Sequence, residues 1–287
     1  MPLVGYTSHF YPGRVFTYDE LMAELASDHN LTNFTPSLLQ KALTYKGQEA
    51  DHLNGTGLTA TCPRELVLRR QQPYTLALEN LGFALSAVHL REMLTSGIPP
   101  VGTAKNVRVE KDIPLPQRDA GDGRYVRLPA TIDELVTDWR EDGAGLIRIY
   151  KTTHRMPDKR GPYPLHRREV ALFRLLLDPA FQGRNTISND NSVGTRPLGE
   201  YDWRYGEVVY VCGDQTRRMQ FEVDRPDFTI AWVKAWLLDV QGDEPISYAV
   251  ATAPQAWDMS WKCGFCPVHE QCVSAPVKPK VVDPFEI

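Results

Sequence analysis

Three cysteines within ten residues, Cys263-Gly-Phe-Cys266 and then Cys272, constrain this chain more than any other feature. Two thiolates separated by two residues can grip one metal centre, and a third returns to it after a short loop. Structural zinc and iron–sulfur clusters both want four such ligands. The fourth must then come from the remaining two cysteines, Cys62 and Cys212. Cys62 stands immediately before Pro63 at the expected start of a helix, where the N-terminal dipole favours a thiolate. Cys212 falls in an expected hairpin strand, where a cysteine serves as a small buried hydrophobe. Cys62 is therefore the preferred partner of the tail triplet. The alternative is a set of inert buried thiols.

Five cysteines is an odd number, and the opening MPLVGYTSHFYPGR lacks a basic head followed by an apolar stretch. Together these favour metal chemistry in a cytoplasmic setting over a secreted disulfide framework. A chain of 287 residues with 42% hydrophobic side chains can bury a substantial core in one large or two modest domains. No apolar run approaches the ~20 residues that span a bilayer, so no membrane partner is expected. A net charge of −4 excludes a uniformly basic nucleic-acid coat but leaves room for a local basic patch.

The element pattern is mixed. TYDELMAELASDH reads as a helix with Thr17 as N-cap and Glu20 closing a capping box. The thirty-five residues that contain it look peripheral. Short helices are expected in SLLQKALTY and after Cys62, and a longer one in ALENLGFALSAVHLREML, where Leu81, Leu85 and Val88 share a stripe flanked by His89 and Glu92. Residues 107–115, 124–136 and 145–153 read as strands, the last two joined through Glu141-Asp142-Gly143. A helix follows from about Pro164 to Leu177. Residues 206–223 form a hairpin pattern turning at Gly213-Asp214, and residues 227–240 a further helix. Strands interspersed with helices make a mixed α/β domain rather than a bundle or sandwich.

A lone cysteine in Cys62-Pro-Arg, about two hundred residues before C-x2-C-x5-C, resembles the iron–sulfur nucleases of the PD-(D/E)XK superfamily. Among these are the CRISPR-associated iron–sulfur exonucleases and the nuclease domains of AddB/RecB-type enzymes. The resemblance runs from about Leu53 to Val273. It implies a restriction-endonuclease-like core, a small mixed sheet flanked by helices, with an iron–sulfur-stapled helical cap. Residues 1–52 would be an N-terminal helical extension, 53–273 the nuclease-like domain and 274–287 a tail. A [4Fe–4S] cluster would sit on Cys62, Cys263, Cys266 and Cys272; spacing alone leaves zinc open. Such a cluster would close a very long loop.

The same resemblance implies Mg²⁺- or Mn²⁺-dependent cleavage of DNA, at ends or on single strands, alongside recombination, repair or CRISPR-type partners. His89 in SAVHLREML matches the family's helix histidine, and Asp133 in ATIDELV its first metal-binding aspartate. Lys151 in LIRIYKTT matches the motif lysine. Glu169 and Phe173 in EVALF fall where the family helix has glutamine and tyrosine. His89, Asp133 and Glu169 would contact the ion. One position departs from the pattern: the acid two residues before the lysine is Ile149, which cannot bind a metal. Either Glu169 supplies the missing carboxylate, or the site has decayed into a module that binds DNA or docks in a larger assembly. Glu110 is another candidate ligand or base, although a strand glutamate is commonly just solvated.

Local charge favours a polyanionic partner. From Lys151 to Arg174 there are seven basic residues, including Arg155, Lys159, Arg160, Arg167 and Arg168, against Asp158 and Glu169. Arg64 and its neighbours Arg69 and Arg70 form a second group near Cys62. Phosphate contacts of this kind bind without regard to sequence and weaken with salt. A solvated basic face is the plainer alternative. Tyr150, Tyr163 and Phe173 are candidates for stacking on unpaired bases, with core packing the alternative for Phe173.

Overall fold

The computed structural model describes residues 3–8, 11–26, 65, 68–69, 74–78, 89–90, 92–94, 96, 101–114, 125–153, 155–158, 160–179, 185–187, 198–223 and 266–274. The chain divides into two compact units. One gathers Met1–His52, Thr61–His89 and Asp239–Glu286; the other gathers Leu53–Ala60, Leu90–Leu238 and Ile287. The helices expected over 37–45 and 227–240 lie outside the described residues. Among the described residues, no helix is long and apolar enough to cross a membrane.

In the first unit, β1 (Leu3–Thr7), β2 (Val15–Phe16) and β3 (Tyr74–Ala77) form a sheet in the order β2-β1-β3. β1 pairs antiparallel to β2 and parallel to β3. The opening segment, read as peripheral, is thus the central strand of a sheet. Its parallel partner lies about seventy residues downstream, so no local pattern announces it. Tyr74–Ala77 likewise forms a strand up to the residue where the sequence suggested a helix begins. Gly5 permits the close approach of β2: a Cβ there would lie 2.7 Å from the Phe16 carbonyl oxygen. The capping box expected for α1 (Tyr18–Ala26) is present. The Glu20 amide donates to Thr17 Oγ1 at 3.2 Å, and the Thr17 amide donates to Glu20 Oε2 at 2.8 Å. Phe16 and Leu21, the two staple positions around that cap, are both sealed from solvent. The cysteine tail enters a short helix over His269–Ser274.

Among the described residues, the second unit has six strands: β4 (Thr103–Pro114), β5 (Tyr125–Val136), β6 (Leu146–Thr152), β7 (Asn185–Ile187), β8 (Tyr205–Cys212) and β9 (Gln215–Glu222). Their order is β7-β4-β5-β6-β8-β9. All neighbours are antiparallel except β6 and β8. That one parallel pair requires a crossover, and α2 (Pro164–Leu177) lies within it. The helix has the bounds read from the sequence: Pro164 opens its first turn, where a missing amide costs nothing. Its apolar positions Val170, Leu172, Phe173, Leu176 and Leu177 are all buried. The β8–β9 hairpin also turns where expected, with Gly213 at φ 59°. The chain is a mixed α/β protein.

One irregularity shapes the sheet. Core-facing residues of β5 run Leu128, Ala130, Ile132 and then Leu135, while those of β4 run Ala104 and then Val107 and Val109. A strand alternates faces every residue, so each step of three reverses the alternation. Both reversals fall at the same level, where Lys105 opposes Glu134 and Val107 opposes Ile132. Between them Asn106 adopts φ 54°, a left-handed conformation that asparagine tolerates better than most side chains. Asp133 occupies the matching place on β5. There β5 also parts from β6, whose pairing ends at Glu134 opposite Arg148.

Candidate active site

Asp133 fills the gap where the two strands separate. Its Oδ2 accepts the Tyr150 amide at 2.8 Å, replacing the strand partner that β5 no longer provides. The residue is 3% exposed. One position along β6, Lys151 turns to the opposite side from Tyr150 and meets Glu169 of α2, with Nζ and Oε2 2.5 Å apart. The contact pairs an ammonium with a carboxylate and is chiefly electrostatic. The glutamate side chain is 2% exposed and the lysine side chain 19%. Asp133, Lys151 and Glu169 are thus brought to one end of β6, beneath the first half of α2. Ile149, on the lysine's side of β6, is fully buried in the core under that helix.

Two side chains not singled out from the sequence join them. Tyr210 of β8 stands in register with Lys151. Its hydroxyl accepts the Tyr163 amide at 3.0 Å and lies 2.8 Å from His166 Nδ1. Burial holds the Tyr210 phenol well above its ordinary range; the hydrogen bond from the Tyr163 amide opposes the shift, and the nearby charges of Tyr163 and Glu169 add to it. His166 precedes Glu169 by three residues, one turn along the same helix face. That spacing was the signal available in the sequence. Tyr163 packs edge-on against Tyr210, 5.6 Å between ring centres, and Phe173 is buried in the core.

The other face of the sheet carries an ion network. Glu134 pairs with Arg148 at 2.9 Å and accepts the Tyr150 hydroxyl at 2.5 Å. Arg148 also donates to Glu207, which Arg218 and Gln220 grip at 2.8 to 3.0 Å. Burial opposes the Glu207 charge, and those donors outweigh it, holding the carboxyl below its usual range. These contacts weld β5, β6, β8 and β9 together under the site.

The basic segment after β6 is tied down and turned outward. The Tyr163 hydroxyl donates to the Arg155 carbonyl at 2.8 Å, the Arg160 amide donates to Asp158 at 2.8 Å, and Arg217 donates to the Pro157 carbonyl. Arg155 and Arg160 are exposed. Arg167 is half-buried with its guanidinium 5.2 Å from the Phe221 ring centre, and Arg168 is half-buried beside it. Arg174 is occupied by Asp202 and the Val223 carbonyl. Lys159 and Arg64 lie outside the described residues. Glu110 is half-exposed in β4, opposite Pro129 and Thr186. An open depression of about 510 Å³ lined by Trp139, Arg140, Glu141, Asp142 and Tyr205 lies at the far end of β6, about 17 Å from Lys151 along the strand.

His89, Cys266 and Cys272 belong to the first unit, Cys212 to the second. His89 is exposed, at the last position of the Thr61–His89 segment of the first unit. Cys266 and Cys272 are half-exposed. The His269 amide donates to the Cys266 carbonyl at 3.1 Å, and the Cys272 amide to the Val268 carbonyl at 2.9 Å. The stretch between the two cysteines is therefore a turn running into α3 (His269–Ser274), not a plain loop. Cys62 and Cys263 lie outside the described residues. Cys212, expected to be a buried hydrophobe, is half-exposed as the last residue of β8. Among the described residues, no three His, Cys, Asp or Glu side chains surround a single point.

No protein-family model matches the chain, and no curated protein matches its sequence. Among solved structures it is similar to the crystal structure of SSO0001, with a TM-score of 0.50 and 15% identity over 86% of this chain and 98% of that one. At that identity the likeness concerns the fold alone.

Proposed function

We propose that the chain is a divalent-metal-dependent DNA nuclease with a restriction-endonuclease-like core of the PD-(D/E)XK type. The observation that carries this reading is the Lys151–Glu169 pair, 2.5 Å apart, beside the buried carboxylate of Asp133. A buried acid needs a strong reason to remain, and a cation is one. Two carboxylates are the hard oxygen donors that Mg²⁺ or Mn²⁺ takes alongside several waters. Asp133 and Glu169 would hold such an ion, which when bound supplies Lewis acidity and an activated water. Lys151 would bind the scissile phosphate or orient that water. Arg155 and Arg160, exposed on the adjoining segment, suit the flanking backbone phosphates. His89 keeps the role its resemblance implies, contact with the ion or phosphate.

A [4Fe–4S] cluster on Cys62, Cys263, Cys266 and Cys272 accompanies this reading, with zinc as the alternative. The segments Thr61–His89 and Asp239–Glu286 that carry these residues belong to one compact unit. Half-exposed thiols are soft donors suited to either centre. The cluster's role would be structural, since hydrolysis moves no electrons.

Complete burial of Ile149 favours a second reading, a nuclease-derived module that binds DNA and cleaves it weakly or not at all. Cleavage of single- and double-stranded DNA in Mn²⁺ separates the two, comparing wild type with Asp133→Ala, Lys151→Ala and Glu169→Gln. The nuclease reading expects each variant to lose about a hundredfold or more. Equal inactivity of all four proteins, with DNA binding intact, would leave only the binding module. Anaerobic purification tests the cluster: a colourless protein carrying zinc and no iron would overturn it.

A further inference from the structure

We infer that Lys151 is a displaceable counter-ion for Glu169, so that DNA and the divalent cation load the site together. This rests on the nuclease reading and adds a regulation to it. Glu169 is 2% exposed, and its charge is neutralised by an ammonium 2.5 Å away. A cation approaching that carboxylate must compete with the lysine. The two partners are unequally free to move. Glu169 is fixed in the middle of α2, at the start of a buried run that continues through Val170, Ala171, Leu172 and Phe173. Lys151 sits one residue from the end of β6 on a flexible four-carbon stem, its side chain 19% exposed and Thr152 beyond it open to solvent. The lysine is therefore the partner that leaves. Its contact with Oε2 is an ion pair, which a phosphate can replace with another.

A backbone phosphate gives the ammonium somewhere to go. Arg155, four residues on, is exposed and would draw the same strand. Once Lys151 pairs with phosphate, the Glu169 carboxylate is left without its counter-ion and is open to a cation. Without DNA the site is self-neutralised and binds cations poorly. Linkage makes the effect mutual: whatever factor DNA adds to cation affinity, the cation adds to DNA affinity.

The test titrates Mn²⁺ by electron paramagnetic resonance on the full chain. Arms contain no DNA, a nuclease-resistant phosphorothioate oligonucleotide, or a neutral methylphosphonate oligonucleotide of the same sequence. In wild type the charged oligonucleotide should raise Mn²⁺ affinity roughly tenfold, a size ordinary for coupled sites, and the neutral one should not. In Lys151→Gln, which keeps a donor beside Glu169 but removes the charge, Mn²⁺ should bind roughly tenfold tighter than wild type without DNA. The charged oligonucleotide should then add nothing. Unchanged Mn²⁺ affinity in Lys151→Gln, or coupling that persists in it, overturns the inference while leaving the nuclease reading standing. Absence of Mn²⁺ binding under every condition defeats both. A measurement on wild type alone guards against a variant that fails to fold: amine-reactive labelling of Lys151, read by mass spectrometry. Labelling should rise on saturation with Mn²⁺ and fall again when charged DNA is added; labelling indifferent to Mn²⁺ overturns the inference.

Discussion

Restoring the acid that the nuclease pattern expects, by Ile149→Asp, should damage this protein rather than repair it. Ile149 is 0% exposed and belongs to the core that α2 covers. Removing its buried side chain forfeits roughly 1.5–3 kcal/mol of apolar burial. Placing an ionised carboxylate there adds a desolvation cost of several kcal/mol. Lys151 lies on the same side of the strand but is already engaged by Glu169, so relief from it is shared. The sum is a loss of about 4–6 kcal/mol near neutral pH, a large part of the ~5–15 kcal/mol that holds a typical domain folded. Burial would raise the pKa of the new carboxyl above its unfolded value. Between those two values the folded state binds more protons, so stability falls as pH rises. The deficit should be smallest near pH 4–5 and largest at pH 8. Urea denaturation followed by circular dichroism at both pH values measures it, with Mn²⁺-dependent cleavage assayed alongside. A loss under about 1 kcal/mol at pH 8, together with gained cleavage, would refute the reasoning. Position 149 would then open to the ion, and Glu169 would not be its replacement.

Three further outcomes follow from the same geometry. Burial pushes the Lys111 ammonium down to about 8, while its Nζ donates to the Asp178 and Leu175 carbonyls at the end of α2. The unfolded chain binds the extra proton between that value and the ordinary 10.5, so wild-type stability should gain up to ~3 kcal/mol across this window. In Lys111→Met that gain should vanish, and equal slopes in urea midpoints taken from pH 7.5 to 10 would refute it. Asn106→Val, placing a β-branched side chain at φ 54°, should cost roughly 1–3 kcal/mol, whereas Asn106→Gly should be near neutral; equal urea midpoints for the two would rule out strain. Arg155→Ala and Arg160→Ala should each lower the salt slope of DNA binding by about one, measured by fluorescence anisotropy across a salt series. Unaltered slopes would remove that segment from the interface.

What the sequence revealed depended on how local the governing interaction was. The capping box, the bounds of α2 and the β8–β9 turn all arise from residues within a few positions of one another. Each was legible from spacing and residue type. The neighbourhood of Asp133 and Lys151 was reached differently, through a motif that compresses a strand–turn–strand geometry into one stretch. The central position of β1 was hidden because its parallel partner lies far downstream and neither strand is long enough to show a period. The paired reversal at Asn106 and Asp133 was hidden for another reason. Two strands deviate together, and neither deviation makes sense without the other. Tyr210 carries no signature until the sheet register aligns it with Lys151, whereas His166 was marked only by its three-residue spacing from Glu169.

The division into two units bears on how the chain is made. Residues 90–238 of the second unit run without interruption, whereas the first unit is assembled from pieces on both sides of them. At roughly 5–20 residues per second, a ribosome spends on the order of ten to thirty seconds on that stretch. Throughout this interval β1 and β3 have emerged, yet the segment from Asp239 that completes their unit does not exist. The sheet that carries Asp133 and Lys151 can close during synthesis; the unit that carries Cys266 and Cys272 cannot. Any inorganic centre held by Cys62 and the tail would therefore be the last part fitted, after the sheet of the second unit had closed.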